Sequence, residues 1–211
     1  MKIIAHRGCW KKNQEKNTFD AFKLALEQGF GIETDLRDFC SEIVISHDIP
    51  NRDSMTLNEF LRLVHEINAN VTLALNIKSD GQQQLLGQEL LLKGLNVFYF
   101  DMSIPDCLAY KNSKLPYYTR FSDIETTPCL YEESIGIWLD CFGSNELNTE
   151  ALEKFIHDGK RVSLVSPELH GFEYLTYWES LRSFLRSLPI ATKRIELCTD
   201  HPLDAKEYFC E

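Results

Sequence analysis

Short apolar runs rich in β-branched and aromatic residues alternate with stretches of helical spacing along the whole chain. The extended runs fall at 2–6, 31–36, 43–47, 72–78, 96–101, 116–120, 136–140, 161–165 and 194–199. Between them, apolar residues recur at three- and four-residue intervals, the period of a helix buried on one face. Thr18 is placed to cap a helix carrying Phe19, Phe22, Leu24, Ala25 and Leu26. Thr56 and Glu59 have capping-box spacing ahead of Phe60, Leu63 and Val64. Asn148-Thr149 opens a third helix that stops at Gly159, and 174–188 forms a fourth, ending before Pro189.

Nine extended runs are one more than a (β/α)8 barrel uses. The runs 31–36 and 43–47 are too close together for a parallel crossover, so they must pair as an antiparallel hairpin. That leaves eight parallel strands. The predicted fold is α/β: a (β/α)8 TIM barrel with an antiparallel hairpin return after strand 2, in a single domain over 1–211. An open doubly wound sheet is the alternative. No glycine-rich dinucleotide fingerprint supports it, since His6-Arg7-Gly8 runs into Cys9-Trp10-Lys11-Lys12.

Composition narrows the function. With 44% hydrophobic residues the chain has enough apolar material for a core without disulfide or metal staples. Its 22 Lys and Arg against 32 Asp and Glu give a net charge of −10, which repels nucleic-acid backbones and anionic membranes. A small-molecule substrate is the expected partner, with no nucleic acid, and the oligomeric state is left open. No apolar run is long enough for a membrane span. The opening Met1–His6 run is a strand rather than a signal peptide, so a cytoplasmic location is expected. The seven cysteines (Cys9, Cys40, Cys107, Cys129, Cys141, Cys198, Cys210) are odd in number, without a C-x-x-C pair, and read as reduced thiols rather than a zinc site.

Barrel enzymes place their chemistry at the C-terminal ends of the strands. The first strand ends in His6-Arg7-Gly8. The second carries Glu33 and Asp35, two apart and so on one face. The hairpin return ends in His47-Asp48, turned back toward that pair. The third parallel strand supplies Asn76 and Lys78 on a shared face, and later strand ends hold Asp101, Arg120, Asp140, Glu168, His170 and Asp200. Clustered carboxylates suit a hard, oxygen-seeking cation, Mg²⁺ or Ca²⁺. The two imidazoles suit proton transfer near neutral pH. Arg7 and Lys78 suit a phosphate, with Arg120, Glu168 and His170 as further substrate contacts.

In order and spacing, His6-Arg7-Gly8, Asn17-Thr18 with Ala21-Phe22, Glu33-Thr34-Asp35 and His47-Asp48 resemble the glycerophosphodiester phosphodiesterases. More broadly they resemble the phospholipase-C-like phosphodiesterases, which include the sphingomyelinase D enzymes. Asn76-Ile77-Lys78 and the closing Thr199-Asp200-His201-Pro202 are weaker echoes. The resemblance implies a barrel that hydrolyses phosphodiesters with one divalent cation, held by Glu33, Asp35 and Asn76. His6 and His47 would be the catalytic base and acid, in an order the residues leave open. Attack by a neighbouring substrate hydroxyl would give a cyclic phosphate.

The chain departs from the family pattern in three places. Asn76 stands where the family carries a carboxylate, and Lys16 where it carries the Glu of E-N-T. There is also no room after His47-Asp48 for the family's substrate-covering insertion. Two other functions fit the same residues: a phosphate-ester-binding barrel without turnover, and a metal-dependent lyase or aldolase acting on a phosphorylated sugar.

Overall fold

The computed structural model describes residues 1–210. The side chains of Ile190 and Cys210, and the terminal Glu211, lie outside the described residues. Nine strands form one sheet: β1 (Lys2–His6), β2 (Gly31–Phe39), β3 (Glu42–Ile45), β4 (Thr72–Ile77), β5 (Asn96–Phe100), β6 (Tyr118–Phe121), β7 (Gly136–Leu139), β8 (Arg161–Val165) and β9 (Ile195–Thr199). Their order is β5-β4-β2-β1-β9-β8-β7-β6, with β3 hanging antiparallel on β2. The pairs β2–β4, β4–β5, β6–β7, β7–β8 and β8–β9 are parallel. At the β5 end of this order, Tyr99 makes a parallel bridge to Tyr117, whose neighbour Pro116 accepts the Tyr99 N–H at 2.9 Å. This is the eight-stranded parallel α/β barrel with a hairpin return that the run pattern predicts.

The hairpin is tighter than the pattern suggests. β2 runs on to Phe39, and only Cys40 and Ser41 turn the chain before Glu42 pairs back with Phe39. Both turn residues have positive φ, +51° and +69°, the mirror-image geometry that matches strand twist in two-residue hairpins.

The chain divides into two compact units: Ala5–Tyr117, and Met1–Ile4 with Tyr118–Glu211. In the Ala5–Tyr117 unit, α1 (Phe19–Glu27) and α2 (Leu57–Ile67) pack Phe22 against Phe60, ring centroids 4.7 Å apart. Thr18 caps α1 by accepting the Ala21 N–H. Thr56 and Glu59 form the expected box, in which Glu59 Oε2 accepts the Thr56 N–H at 2.8 Å. Two helices here escape the sequence pattern, α3 (Gln83–Gln88) and α4 (Ile104–Asn112).

The other unit buries Ile137, Leu152, Phe155, Val162, Leu164, Trp178, Leu181 and Leu197 in one cluster. These come from its strands and from α5 (Thr149–His157) and α6 (Leu175–Ser187). A last helix, α7 (Pro202–Cys210), follows β9. No helix among the described residues is long and apolar enough to cross a membrane. The six described cysteines are free thiols, and burial pushes the Cys9 thiol up to about 12.

The turn leaving β1 is fitted closely to α1. Gly8 has φ +90°, and a Cβ there would meet the Ala21 carbonyl carbon at 2.7 Å. The next residue, Cys9, donates its N–H to Ala21 O at 2.9 Å, so the backbones cannot separate without losing that bond. Gly8→Ala is expected to destabilise the protein by roughly 2–4 kcal/mol, combining left-handed strain with backbone overlap. The denaturant midpoint measures it.

Candidate active site

The Ala5–Tyr117 unit gathers His6, Arg7, Glu33, Asp35, His47, Asn76 and Lys78. Glu33 and Asp35 lie on the same face of β2, almost wholly buried at 1% and 0% exposure. Asp35 pairs in register with Asn76 on β4, which places their side chains side by side. The turn after β1 is tied to this pair through backbone: Arg7 N–H donates to Glu33 O at 2.9 Å, and Asn17 N–H donates to Arg7 O at 3.0 Å. Arg7 and Asn17 both hold φ +59°, so the chain leaving the first strand is bent back onto β2 by two left-handed residues.

Asp35 is the hub. Arg7 Nε forms an ion pair with its Oδ2 at 2.9 Å, and Lys78 Nζ lies 3.3 Å from its Oδ1. Asn17 Nδ2 donates to Oδ2 at 2.9 Å, while Asn17 Oδ1 accepts the Thr34 hydroxyl at 2.8 Å. Burial works to raise the Asp35 carboxyl, but Arg7, Lys78 and the Asn17 bond overcome it and hold the group below its ordinary range. Glu33 also feels Arg7 and Lys78, but they do not outweigh what opposes its charge. Burial, and then the charge of Asp35, push it up to about 8. His6 Nε2 stands 3.8 Å from Glu33 Oε2, beyond hydrogen-bonding distance.

His47 sits just past β3, half exposed. Its Nδ1 pairs with Asp48 Oδ1 at 2.9 Å. Its backbone is held twice: Arg37 Nε donates to His47 O at 3.1 Å, and the preceding Ser46 donates its N–H to Asp35 O at 3.0 Å. The hairpin thus carries His47 back to Asp35 as expected. Arg7, Lys16, Asn17, Ser46, His47 and Asp48 help line a cavity of about 750 Å³.

Three oxygens in this cluster are buried and accept no hydrogen bond: Glu33 Oε2, Asp35 Oδ1 and Asn76 Oδ1. Buried acceptors are normally satisfied, and three together on two paired strands suit a hard cation that takes oxygen ligands. Among the described residues no group of three or more His, Cys, Asp or Glu side chains could hold a metal. The three oxygens grouped here belong to two carboxylates and one amide.

Arg120, Glu168 and His170 fall in the other unit, where each has a protein partner. Arg120 Nε pairs with Glu125 at 3.3 Å, and its guanidinium lies 5.6 Å from the Phe142 ring. Glu168 Oε1 accepts the Thr199 hydroxyl and the Asp200 N–H, joining the ends of β8 and β9. His170 Nε2 meets Asp140 Oδ1 at 2.7 Å, and its ring packs on Phe142. Sequence reasoning placed Asp140 at a strand end but did not foresee this pairing. It likewise quoted Asn17 only as part of a motif. The signal that could have found Asn17 is an Asn directly before a helix-capping Thr, where an amide tolerates left-handed backbone and reaches a neighbouring strand.

Solved structures share this fold. One, from Galdieria sulphuraria and described as "a putative glycerophosphodiester phosphodiesterase", aligns with 100% of this chain and 98% of its own at a TM-score of 0.76 and 19% identity. A likeness at that identity establishes the fold, and it is the fold that the motif resemblance implied. No protein-family model matches the chain, and no curated protein matches it in sequence.

The hydrogen bond that the His170 ring donates to Asp140, outweighing partial burial, raises His170 above the ordinary histidine value. A raised imidazole stabilises the fold fully below about pH 6.5, its unfolded value, and loses that contribution as pH climbs through the folded value. The His170 ring protons, followed by NMR, should therefore titrate above the ordinary midpoint. Asp140→Asn should return that midpoint toward it, and the stability difference between wild type and variant should shrink as pH rises.

Proposed function

We propose that this chain is a metal-dependent phosphodiester hydrolase working at the Ala5–Tyr117 cluster. The observation that carries the proposal is the trio of buried oxygens at Glu33, Asp35 and Asn76 that accept no hydrogen bond, set beside Arg7 and Lys78. Those three residues would hold one Mg²⁺ or Ca²⁺. When bound, such a cation neutralises phosphoryl oxygens and stabilises the charge that develops on them.

The remaining roles belong to the protein's own groups. Lys78 and Arg7, both held at Asp35, are the cations positioned to meet an anionic diester in a chain of net charge −10. His6 and His47 serve as the base and acid pair. One takes the proton of the attacking oxygen, from water or from a neighbouring substrate hydroxyl, and the other protonates the departing alcohol. Asp48 on His47 Nδ1 leaves Nε2 as the nitrogen that exchanges a proton with substrate. The half exposure of His47 fits the leaving-alcohol side, and the more enclosed His6, beside Glu33, fits the attacking side. Attack by a substrate hydroxyl would yield a cyclic phosphate, and attack by water the hydrolysed monoester.

Metal-stripped protein should not turn over glycerophosphodiesters, and Mg²⁺ or Ca²⁺ should restore turnover. Undiminished activity in excess chelator would overturn the metal role. Saturable binding of the diester without turnover under any metal would favour a binding barrel instead. His6→Ala and His47→Ala should each lower kcat by about 10²–10⁴-fold with the denaturant midpoint nearly unchanged. A variant that kept wild-type kcat would leave its histidine without a catalytic role.

A further inference from the structure

We infer that Asp101 is a positioning residue for the metal site: it orients the Asn76 amide so that its carbonyl oxygen faces the cation. The inference rests on the metal proposal above and explains how an amide can stand in that ligand set. Asn76 Nδ2 donates to Asp101 Oδ2 at 3.1 Å, and Asn76 Oδ1 is buried without a hydrogen-bond partner. A carboxylate only accepts, so it can be satisfied by the NH₂ end of the amide and never by its oxygen. The side chain of Asn76 is 6% exposed, with no water-facing alternative for the amide. With Asp101 in place, the Oδ1 end is turned the other way, toward the β2 side, where Glu33 and Asp35 have oxygens that accept no hydrogen bond.

The placement of Asp101 is itself specific. It follows β5, the strand that pairs with β4 on the side away from β2, and Asn76 is in register with the preceding Phe100. Its backbone is left-handed, φ +66°, a conformation that costs a non-glycine residue free energy. The negative charge that the family resemblance expects at position 76 is here found one strand over. Asp101 bears on Glu33 by its charge and holds the Asn76 amide by a hydrogen bond. Outer partners that fix a ligand in this way typically carry about 10–100-fold in metal affinity.

The test is a double-mutant cycle on the full-length protein, with Mg²⁺ and Ca²⁺ affinity read by calorimetry and folding read by denaturant midpoint. Asp101→Asn preserves the left-handed backbone, and Asp101→Gly removes the side chain without strain. In the Asn76 background Asp101→Gly should weaken metal binding about tenfold or more, and Asp101→Asn less, because its own Oδ1 can still accept from Asn76 Nδ2. In an Asn76→Asp background the same changes should cost less than about twofold, because a carboxylate at 76 has no wrong end to present. Asn76→Asp alone should also lower the metal-free midpoint by setting two carboxylates within hydrogen-bonding distance, and Asn76→Asp/Asp101→Asn should recover it.

Unchanged affinity in the single Asp101 variants would overturn the inference while leaving the metal site standing. An equal loss in both backgrounds would overturn it too, since the carboxylate would then act by charge alone. No Mg²⁺ or Ca²⁺ binding by the wild type would remove the metal proposal and this inference with it.

Discussion

A negative charge with no access to water, on Asp35, is the constraint around which the first half of the molecule is arranged. A carboxylate at 0% exposure survives ionised only with opposite charge and hydrogen bonds supplied by the fold. Lys78 arrives from the next strand at no extra backbone cost. Arg7 and Asn17 arrive only because the chain leaving β1 doubles back, through left-handed residues and a glycine pressed against α1. The bend, the cap of α1 and the loop between them all follow from the need to satisfy this one side chain. Removing a single partner would leave part of the charge uncompensated, which is why strain in the turn is tolerated.

The same constraint separates two carboxyls two residues apart on one strand. Asp35 takes both cations and the amide. At Glu33, burial and the repulsion of its neighbour outweigh the pull of the same two cations, and the His6 imidazole stands 3.8 Å away. One carboxyl is thus held below its ordinary range and the other is pushed above it. Neighbouring carboxyls driven apart in this way are a feature that gathers at functional sites more than at ordinary buried ion pairs.

Strand count, hairpin and capping were legible in the chain because each has a local signature. The strands are near-continuous apolar runs, and the caps at Thr18, Thr56 and Asn148 have fixed spacings. The helices that escaped lack those signals. α3 is six residues of mostly Gln and Leu, and α4 opens with Ser103-Ile104-Pro105 and leaves Ile104 and Leu108 exposed, which blurs its periodicity. In the site, Glu33 and Asp35 were readable from strand alternation alone. The engagement of Arg7 with Asp35 was not, because it depends on a backbone reversal that no residue spacing encodes. His170 was visible as a strand-end residue, but its bond to Asp140 joins positions thirty residues apart, in the segments that follow two adjacent strands, a fact of tertiary placement rather than of motif.

The two-residue turn between β2 and β3 carries a further consequence, one of length rather than of composition. Ser46 reads the carbonyl of Asp35 and Ile45 faces Leu36, so the offset between the carboxylate and His47 is counted along a single ladder through Cys40 and Ser41. Side chains on a strand alternate faces with each residue. Insertion or deletion of one residue at this turn would therefore shift the whole return strand by a face. The turn can vary in residue type, subject to its positive φ, while its length is held fixed by chemistry at the other end of the strand.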